Sequence, residues 1–388
     1  MSGKPLEFLA AGAIAAWLAI PSLCSSPVVE HGGPAAGVTA HEWGTFTSVA
    51  GPDGQAVAWA PLQASAGLPA FVERFRDENF KCGLIETVRM ETPVLYFYTP
   101  RETTVSVNVS FAKGVITEWY PHASAVKRTD AAGSIWWNDV RLLPSSRAAF
   151  PSGGDNHYYA ARDTAATPLR VKAPKGDQDE KFLFYRGASS AALPLAARLT
   201  PEGQVLLRNL GADEIPTVMW IESRGGKLGY RVSGALRDQA LVDPPAMTAS
   251  ADAMFKDLEG TLVARGLYED EARAMIATWR NSWFEEGSRL LYIVPRQAVN
   301  AILPLAIRPA PASTVRVFVG RLELVTPTTE AAVEQAFRAH DQPAIDKYRR
   351  FLAPILGAAI ERAQADPLRT RELQSYLKVA YANACRSW

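Results

Sequence analysis

The chain has 388 residues, 48% of them hydrophobic and 21% charged, with 41 Lys+Arg against 40 Asp+Glu. Such a length holds one large domain or two ordinary ones, and the composition excludes a disordered tail. The near-even charge balance supplies no field for nucleic acid or an anionic membrane, so neither partner is expected.

At the N-terminus, Lys4 precedes an apolar run from Phe8 to Ile20 that Pro21 ends. The run is too short to span a bilayer as a helix and fits the apolar core of a signal peptide. Residues 1–24 are therefore read as a signal peptide, which implies a periplasmic or extracellular protein. Ser22 and Cys24 are the small residues a signal peptidase reads. Pro21 and Leu23 fit a lipoprotein signal poorly, so anchoring through Cys24 is the lesser alternative. Residues 25–40, rich in Pro, Gly and Ala, read as a flexible leader. Cleavage after Ala40 would instead leave His41 as the first residue, as in a copper brace. No later stretch reaches 18 uninterrupted apolar residues, so the mature chain should have no transmembrane span. Once Cys24 is removed, Cys82 and Cys385 remain. An oxidising compartment favours their pairing, against the alternative of two separate buried thiols.

From residue 41 to 245 the pattern is β. Residues 103–111 alternate strictly, with Val105, Val107, Val109 and Phe111 on one face. A short Ala112-Lys113-Gly114 turn leads to 115–120, which predicts a hairpin. Further strands are expected at 92–99, 134–142, 180–186, 193–199, 204–210 and 217–223. Arg224-Gly225-Gly226 joins the last of these to 227–233 in a second predicted hairpin. Many short strands with Gly and Pro punctuation predict an antiparallel β-sandwich-like domain over 41–245.

After Asp243-Pro244-Pro245 the composition shifts. Met254, Phe255, Leu258 and Leu262 recur at helical spacing, and Gly266 stands where that helix would end. Ala272, Met275, Ile276, Trp279 and Trp283 form a second helical stripe. Two β-like stretches, 289–295 and 314–325, are candidates to rejoin the sheet. Asp341 caps a run from Ile345 to Ile360 that Pro354 should kink. Asp366-Pro367 begins a last helix with Leu373, Tyr376, Leu377 and Tyr381 inward. The expected class is α+β, with a mainly helical region over 246–388 packed on the β domain.

The chain has no Gly-rich phosphate loop, GxSxG elbow, HExxH or CxxC, which removes the main support for nucleotide, α/β-hydrolase and zincin chemistry. Four histidines follow the leader. His41, His122 and His157 lie in polar-aromatic strings, HEWGTFTSV, EWYPH and DNHYY, while His340 reads as a helix-end cation. Neutral imidazoles with a carboxylate make an open site for zinc, copper or iron. His41, His122 and His157 are thus candidate metal ligands, with Glu118 and Glu42 as candidate catalytic carboxylates. His41 and Glu42 are adjacent, so a regular strand would point them to opposite faces. The competing reading has each histidine separately hydrogen-bonded in an aromatic shell. Arg89 and Glu91 read as a salt bridge within one strand.

HEWGTFTSV, with RMETPVLYFYT, FLFYRG and WFEEGSRLLYIVPR downstream, resembles an uncharacterised family of exported bacterial proteins. The resemblance implies a shared exported fold and assigns no activity. Two functions follow from the residues. One is a metal-dependent hydrolase or oxidase acting on an envelope or extracellular substrate. The other is a non-catalytic envelope protein that binds glycan or protein through its aromatics, for which the ten tryptophans supply stacking surface.

Overall fold

Alternating β-branched and aromatic residues fill the first two-thirds of the chain with strands, as their fit to a pleated, half-buried surface requires. The structure, a computed structural model, describes residues 35–62, 67–75, 84–129, 132–348 and 350–386. The expected signal peptide, residues 25–34 of the leader, Cys24 and Cys82 lie outside the described residues, as does the side chain of Cys385.

The chain lays down β1 (Ala35–Ala50), β2 (Glu73–Arg74), β3 (Val88–Tyr98), β4 (Thr103–Ala112), β5 (Gly114–Tyr120) and β6 (Ala125–Arg128). Next come β7 (Ala132–Leu142), a 3-10 helix (His157–Arg162), β8 (Leu169–Val171), β9 (Gln178–Glu180) and β10 (Phe182–Ser189). β11 (Leu195–Leu199), β12 (Val205–Asn209), β13 (Val218–Arg224), β14 (Lys227–Ser233) and β15 (Gln239–Val242) precede helices α1 (Ala251–Val263) and α2 (Glu269–Trp283). β16 (Gly287–Ile293), α3 (Arg296–Ile302), β17 (Leu305–Arg308) and β18 (Pro311–Leu324) lead to α4 (Pro327–Arg338), α5 (Gln342–Lys347), α6 (Leu352–Arg362) and α7 (Pro367–Arg386).

Among the described residues the strands form three sheets. The nine-stranded sheet runs β14-β13-β16-β18-β1-β3-β10-β5-β2. A six-stranded sheet runs β17-β4-β7-β8-β9 with β6 also on β7, and a three-stranded sheet runs β11-β12-β15. The fold is α+β, with several sheets and most helices toward the C-terminus. Among the described residues no helix is long and apolar enough to cross a membrane.

One face of the large sheet shares an apolar core with both smaller sheets. Phe46, Leu95, Phe97 and Leu183 meet Val107, Val109, Ile135, Trp137 and Leu207 there. The other face carries two separate cores. Trp43, Val94 and Tyr96 pack against Met254, Leu258, Met275 and Trp279 of α1 and α2. Val49 and Trp59 pack against Val333, Phe337, Ile355 and Leu356 of the C-terminal helices.

Several expectations are corrected. Residues 35–40 are not a leader but the start of β1, with Val38 and Ala40 fully buried, so cleavage after Ala40 would remove part of a central strand. Residues 33–388 form one compact unit. The stretches 289–295 and 314–325 do rejoin the large sheet as expected, as β16 and β18, with β18 parallel to β1. The hairpin over 103–120 does not form. β4 pairs with β7 and β17, whereas β5 pairs with β10 and β2. Lys113 at φ 53 turns the chain from one sheet to the other. A Cβ on Gly114 would stand 2.7 Å from Ala188 O, so only glycine fits this corner. The second hairpin does form between β13 and β14, over Gly225 and Gly226 with φ of 55 and 74, the positive pair a tight turn of this twist needs.

Asp341 caps α5 as expected, its side chain accepting the Ala344 N–H. Pro354 kinks nothing, because it falls in the first turn of α6, where its missing N–H leaves no bond unmade. The helix breaks instead between α5 and α6. The last helix begins after Asp366 and buries Leu373, but Tyr381 faces solvent.

Candidate functional site

Three neighbouring strand pairs lose register at one level of the large sheet. Against β1, Trp43 faces Val94 while Thr45 faces Glu91, so Thr92 and Pro93 bulge out of β3. Against β3, Phe184 faces Val94 but Gly187 faces Met90. Against β5, Arg186 faces Glu118 but Gly187 faces Ile116. Bulges re-aim side chains and interrupt pairing, and they concentrate beside functional sites. The sequence permits this one because Gly44 leaves room. A Cβ there would lie 2.7 Å from the Phe318 ring and 3.1 Å from Pro93 Cα. Thr92 takes φ 48, a strained value for a β-branched residue.

The bulges open onto a buried ionic chain that separates the two cores of this face. Glu91 is its hub. Thr47 Oγ1 donates to Glu91 Oε2 at 2.7 Å, and Arg350 donates to Oε1. Arg89 Nε lies 3.1 Å and Arg186 Nη2 3.6 Å from the same Oε1. Arg89 is close enough to pair but not aligned for a hydrogen bond. From Glu91 the chain continues through Arg350 to Ser282 Oγ, which also accepts from Arg321 Nη1, both at 2.9 Å. Arg321 then pairs with Glu285 and Glu323, each at 2.6 Å, and Arg289 joins Glu323 at 2.8 Å. In the other direction Arg186 hydrogen-bonds to Tyr158 and stands opposite Glu118. Burial pushes the Glu91 carboxyl up, but Arg350, Arg89, Arg186 and Arg321 together outweigh it and hold the group at about 2. Burial and the Arg186 charge push Arg89 down to about 9 against the pull of Glu91.

Donors outnumber acceptors in this centre. Among the described residues no hydrogen-bond partner exists for Arg186 Nε and Nη1, Arg89 Nε, Arg350 Nε, the Thr45 and Thr92 hydroxyls, or the indole N–H of Trp279 and Trp283. Every one of these atoms can donate, and no carboxylate oxygen shares their condition.

Above the Thr92 bulge lies a shallow, half-open recess, about 30 Å³ within and about 380 Å³ when the open solvent at its mouth is counted. Its walls come from five segments: Leu68, Pro69, Phe71 and Val72; Thr92 and Val94; Tyr120; Tyr158, Tyr159, Ala161 and Arg162; and Glu180, Phe182 and Phe184. Six of these residues are aromatic. Arg162 binds Glu180 through two nitrogens, at 3.0 and 2.6 Å, and lies over the rings of Tyr159 and Phe71. Burial raises the Glu180 carboxyl despite this pairing. Asn156 caps the 3-10 helix by accepting the Tyr158 N–H, and its amide donates to Gly67 O, which ties two walls together.

The expected metal set is not brought together. His41 Nδ1 lies 2.8 Å from Glu271 Oε2 of α2, between the rings of Tyr98 and Tyr268. His122 Nδ1 lies 2.9 Å from Glu73 Oε1, whose other oxygen accepts from Trp119. His157 opens the 3-10 helix, with its ring 4.0 Å from that of Tyr158. The surrounding protein and the charge of Arg186 both lower its pKa. Among the described residues no three His, Cys, Asp or Glu side chains form a group able to hold an ion. His41 and His122 each pair with a different carboxylate from a distant segment, and His157 lies against its neighbour Tyr158, so rarity in sequence did not imply convergence.

Glu42 is also in a structural role, fully buried on the opposite face from His41. It accepts from Tyr185 OH at 2.5 Å and from Arg316 Nε at 2.6 Å. Glu118 does lie in the bulged centre and accepts from Thr117 Oγ1. His340 follows α4 at φ 51, at the helix-end position expected of it. The sequence does not single out Thr92, Arg186, Arg350, Phe71, Phe182 and Phe184 as site residues, whereas Tyr120, Tyr158 and Tyr159 lie in the EWYPH and DNHYY strings. The available signal was a charge inside an apolar strand, repeated at Arg186, Arg289 and Arg321 as it is at Glu91.

No family model matches the chain, and no curated protein matches it. Among solved structures, one similar chain is the yeast delta-COP-I mu-homology domain complexed with Dsl1 WxWxV peptide. It is 8% identical, covers 74% of this chain and 96% of its own length, and has a TM-score of 0.28. A score that low assigns neither fold nor function here.

Proposed function

We propose that this is an exported, non-catalytic binding protein that receives a small ligand with a flat or apolar group in the recess above Thr92. One observation carries the reading: six aromatic residues from distant segments converge on one concavity with few polar groups. Small-molecule sites have this composition, with sparse polar groups fixing the ligand's orientation. The sandwich-like stacking of the large sheet on the two smaller ones supplies a rigid base, and the signal-like N-terminus supports an envelope location. A metal-dependent hydrolase or oxidase is disfavoured, because its ligands His41, His122 and His157 have separate surroundings.

Isothermal titration of the purified protein with aromatic acids, aromatic amides, short oligosaccharides and aromatic peptides tests this reading. Saturable binding is expected, weakened about tenfold or more by Phe71→Ala or Tyr159→Ala, equivalent to about 1.4 kcal/mol. Both residues are only partly buried, so these variants should keep their unfolding transition. Binding that both substitutions leave unchanged would overturn the proposal.

A further inference from the structure

We infer that the ligand carries an oxyanion, a carboxylate or a phosphate, that seats at the floor of the recess against Thr92, in the field of Arg186 behind the wall. The inference rests on the binding reading above and adds the ligand's charge to it. Thr92, at the floor, follows Glu91 of the donor-rich centre directly in the chain. Thr92 lines the recess, is 2% exposed, and has a hydroxyl with no partner among the described residues. Its neighbour Glu91 already holds three guanidinium groups, from Arg350, Arg89 and Arg186.

Arg186 is 1% exposed, and two of its nitrogens remain unpartnered. Tyr158 connects it to the recess, with a ring in the wall and a hydrogen bond to the guanidinium. The indole of Trp279, its N–H also unpartnered, packs edge-on to Tyr158 at 6.1 Å.

Buried donors in surplus call for an acceptor, since a polar group removed from water without a partner is costly. A neutral ligand would satisfy single donors but leave the excess positive charge in a low-dielectric setting. An oxyanion meets both needs: it accepts from the Thr92 hydroxyl, and the guanidinium charge behind the floor attracts it through a low-dielectric interior. The acid in the recess wall, Glu180, is occupied by Arg162 and so offers little repulsion. The field of Arg186 also reaches His157, next to the wall residue Tyr158, whose pKa burial and then that field lower.

Titration calorimetry with phenyl phosphate, phenylacetate and phenylacetamide tests the inference on the intact protein. At least one acid should bind roughly tenfold or more tighter than the amide, and comparison of the two acids tells phosphate from carboxylate. That advantage should shrink as salt rises, shrink severalfold in Thr92→Val, and persist in Thr92→Ser. If the amide binds as tightly as both acids, the inference fails while the recess reading stands. If none of the three binds, both fail. Should Thr92→Val not fold, the acid-to-amide ratio and its salt dependence in the unaltered protein still decide.

Discussion

Arg350 donates to Glu91 Oε1 across 259 residues of chain, joining the break between α5 and α6 to the bulge in β3. At that break the Phe351 N–H donates to Tyr348 O, a turn in place of a continuing helix.

Removing one member of a buried ion pair leaves the other charged and unpaired, at a cost of about 3–5 kcal/mol. Glu91→Gln deprives three guanidinium groups of their common counter-charge and should fall in that range. Arg350→Ala leaves Glu91 with Arg89 and Arg186 and should cost less. Urea unfolding of both variants checks the order. The reverse order, or a loss below about 1 kcal/mol for Glu91→Gln, would contradict the assignment of Glu91 as hub.

The same carboxylate makes stability depend on acid. Its pKa falls from 4.5 to about 2 on folding, so its contribution is complete above 4.5 and is lost as pH drops toward 2. The amount is on the order of 3 kcal/mol. Glu323 is shifted in the same direction: burial pushes its pKa up, but Arg289 and Arg321 together outweigh that and lower it. Unfolding free energy measured from pH 7 to pH 2 should therefore decline less steeply in Glu91→Gln than in the unaltered protein. Parallel curves would show that Glu91 is not held in this state.

Gly187 tests the register shift. A Cβ there would lie 2.2 Å from Val115 O, and the backbone oxygen of a paired strand cannot give way cheaply. Gly187→Ala should destabilise by about 3 kcal/mol or more. Gly234→Ala, where no atom lies within 4 Å of the added carbon, should stay within about 0.5 kcal/mol. Equal effects would mean that β10 and β5 do not cross this closely.

Much of the scaffold was legible because period-two alternation is local. Val105, Val107 and Val109 announce a strand wherever it pairs. The partner is not local, and β4 and β5 show the consequence: both face the same core, so their patterns suited a hairpin although they belong to different sheets. The ionic centre was legible only at Arg89 and Glu91, which share a strand. Arg186, Arg321 and Arg350 reach Glu91 or its chain of partners from far along the sequence, and nothing in their own segments names the partner. The histidines misled for the converse reason. Each lies in a suggestive string, but Glu271 and Glu73, which decide the surroundings of His41 and His122, come from elsewhere.

That separation is itself testable. Zinc or copper titration of the unaltered protein and of His41→Ala, His122→Ala and His157→Ala should show no tight site whose loss is common to all three. One site lost alike in each variant would restore the three-histidine centre and contradict the geometry described above.

The most direct test of the recess as the binding site is chemical-shift mapping with a bound aromatic acid. Phe71, Thr92, Tyr120, Tyr158, Tyr159 and Phe184 should show the largest perturbations. Trp136 and Lys127, which stack on each other in the separate six-stranded sheet, should not move. Perturbations centred on that pair, with Thr92 and Tyr159 unmoved, would contradict the account.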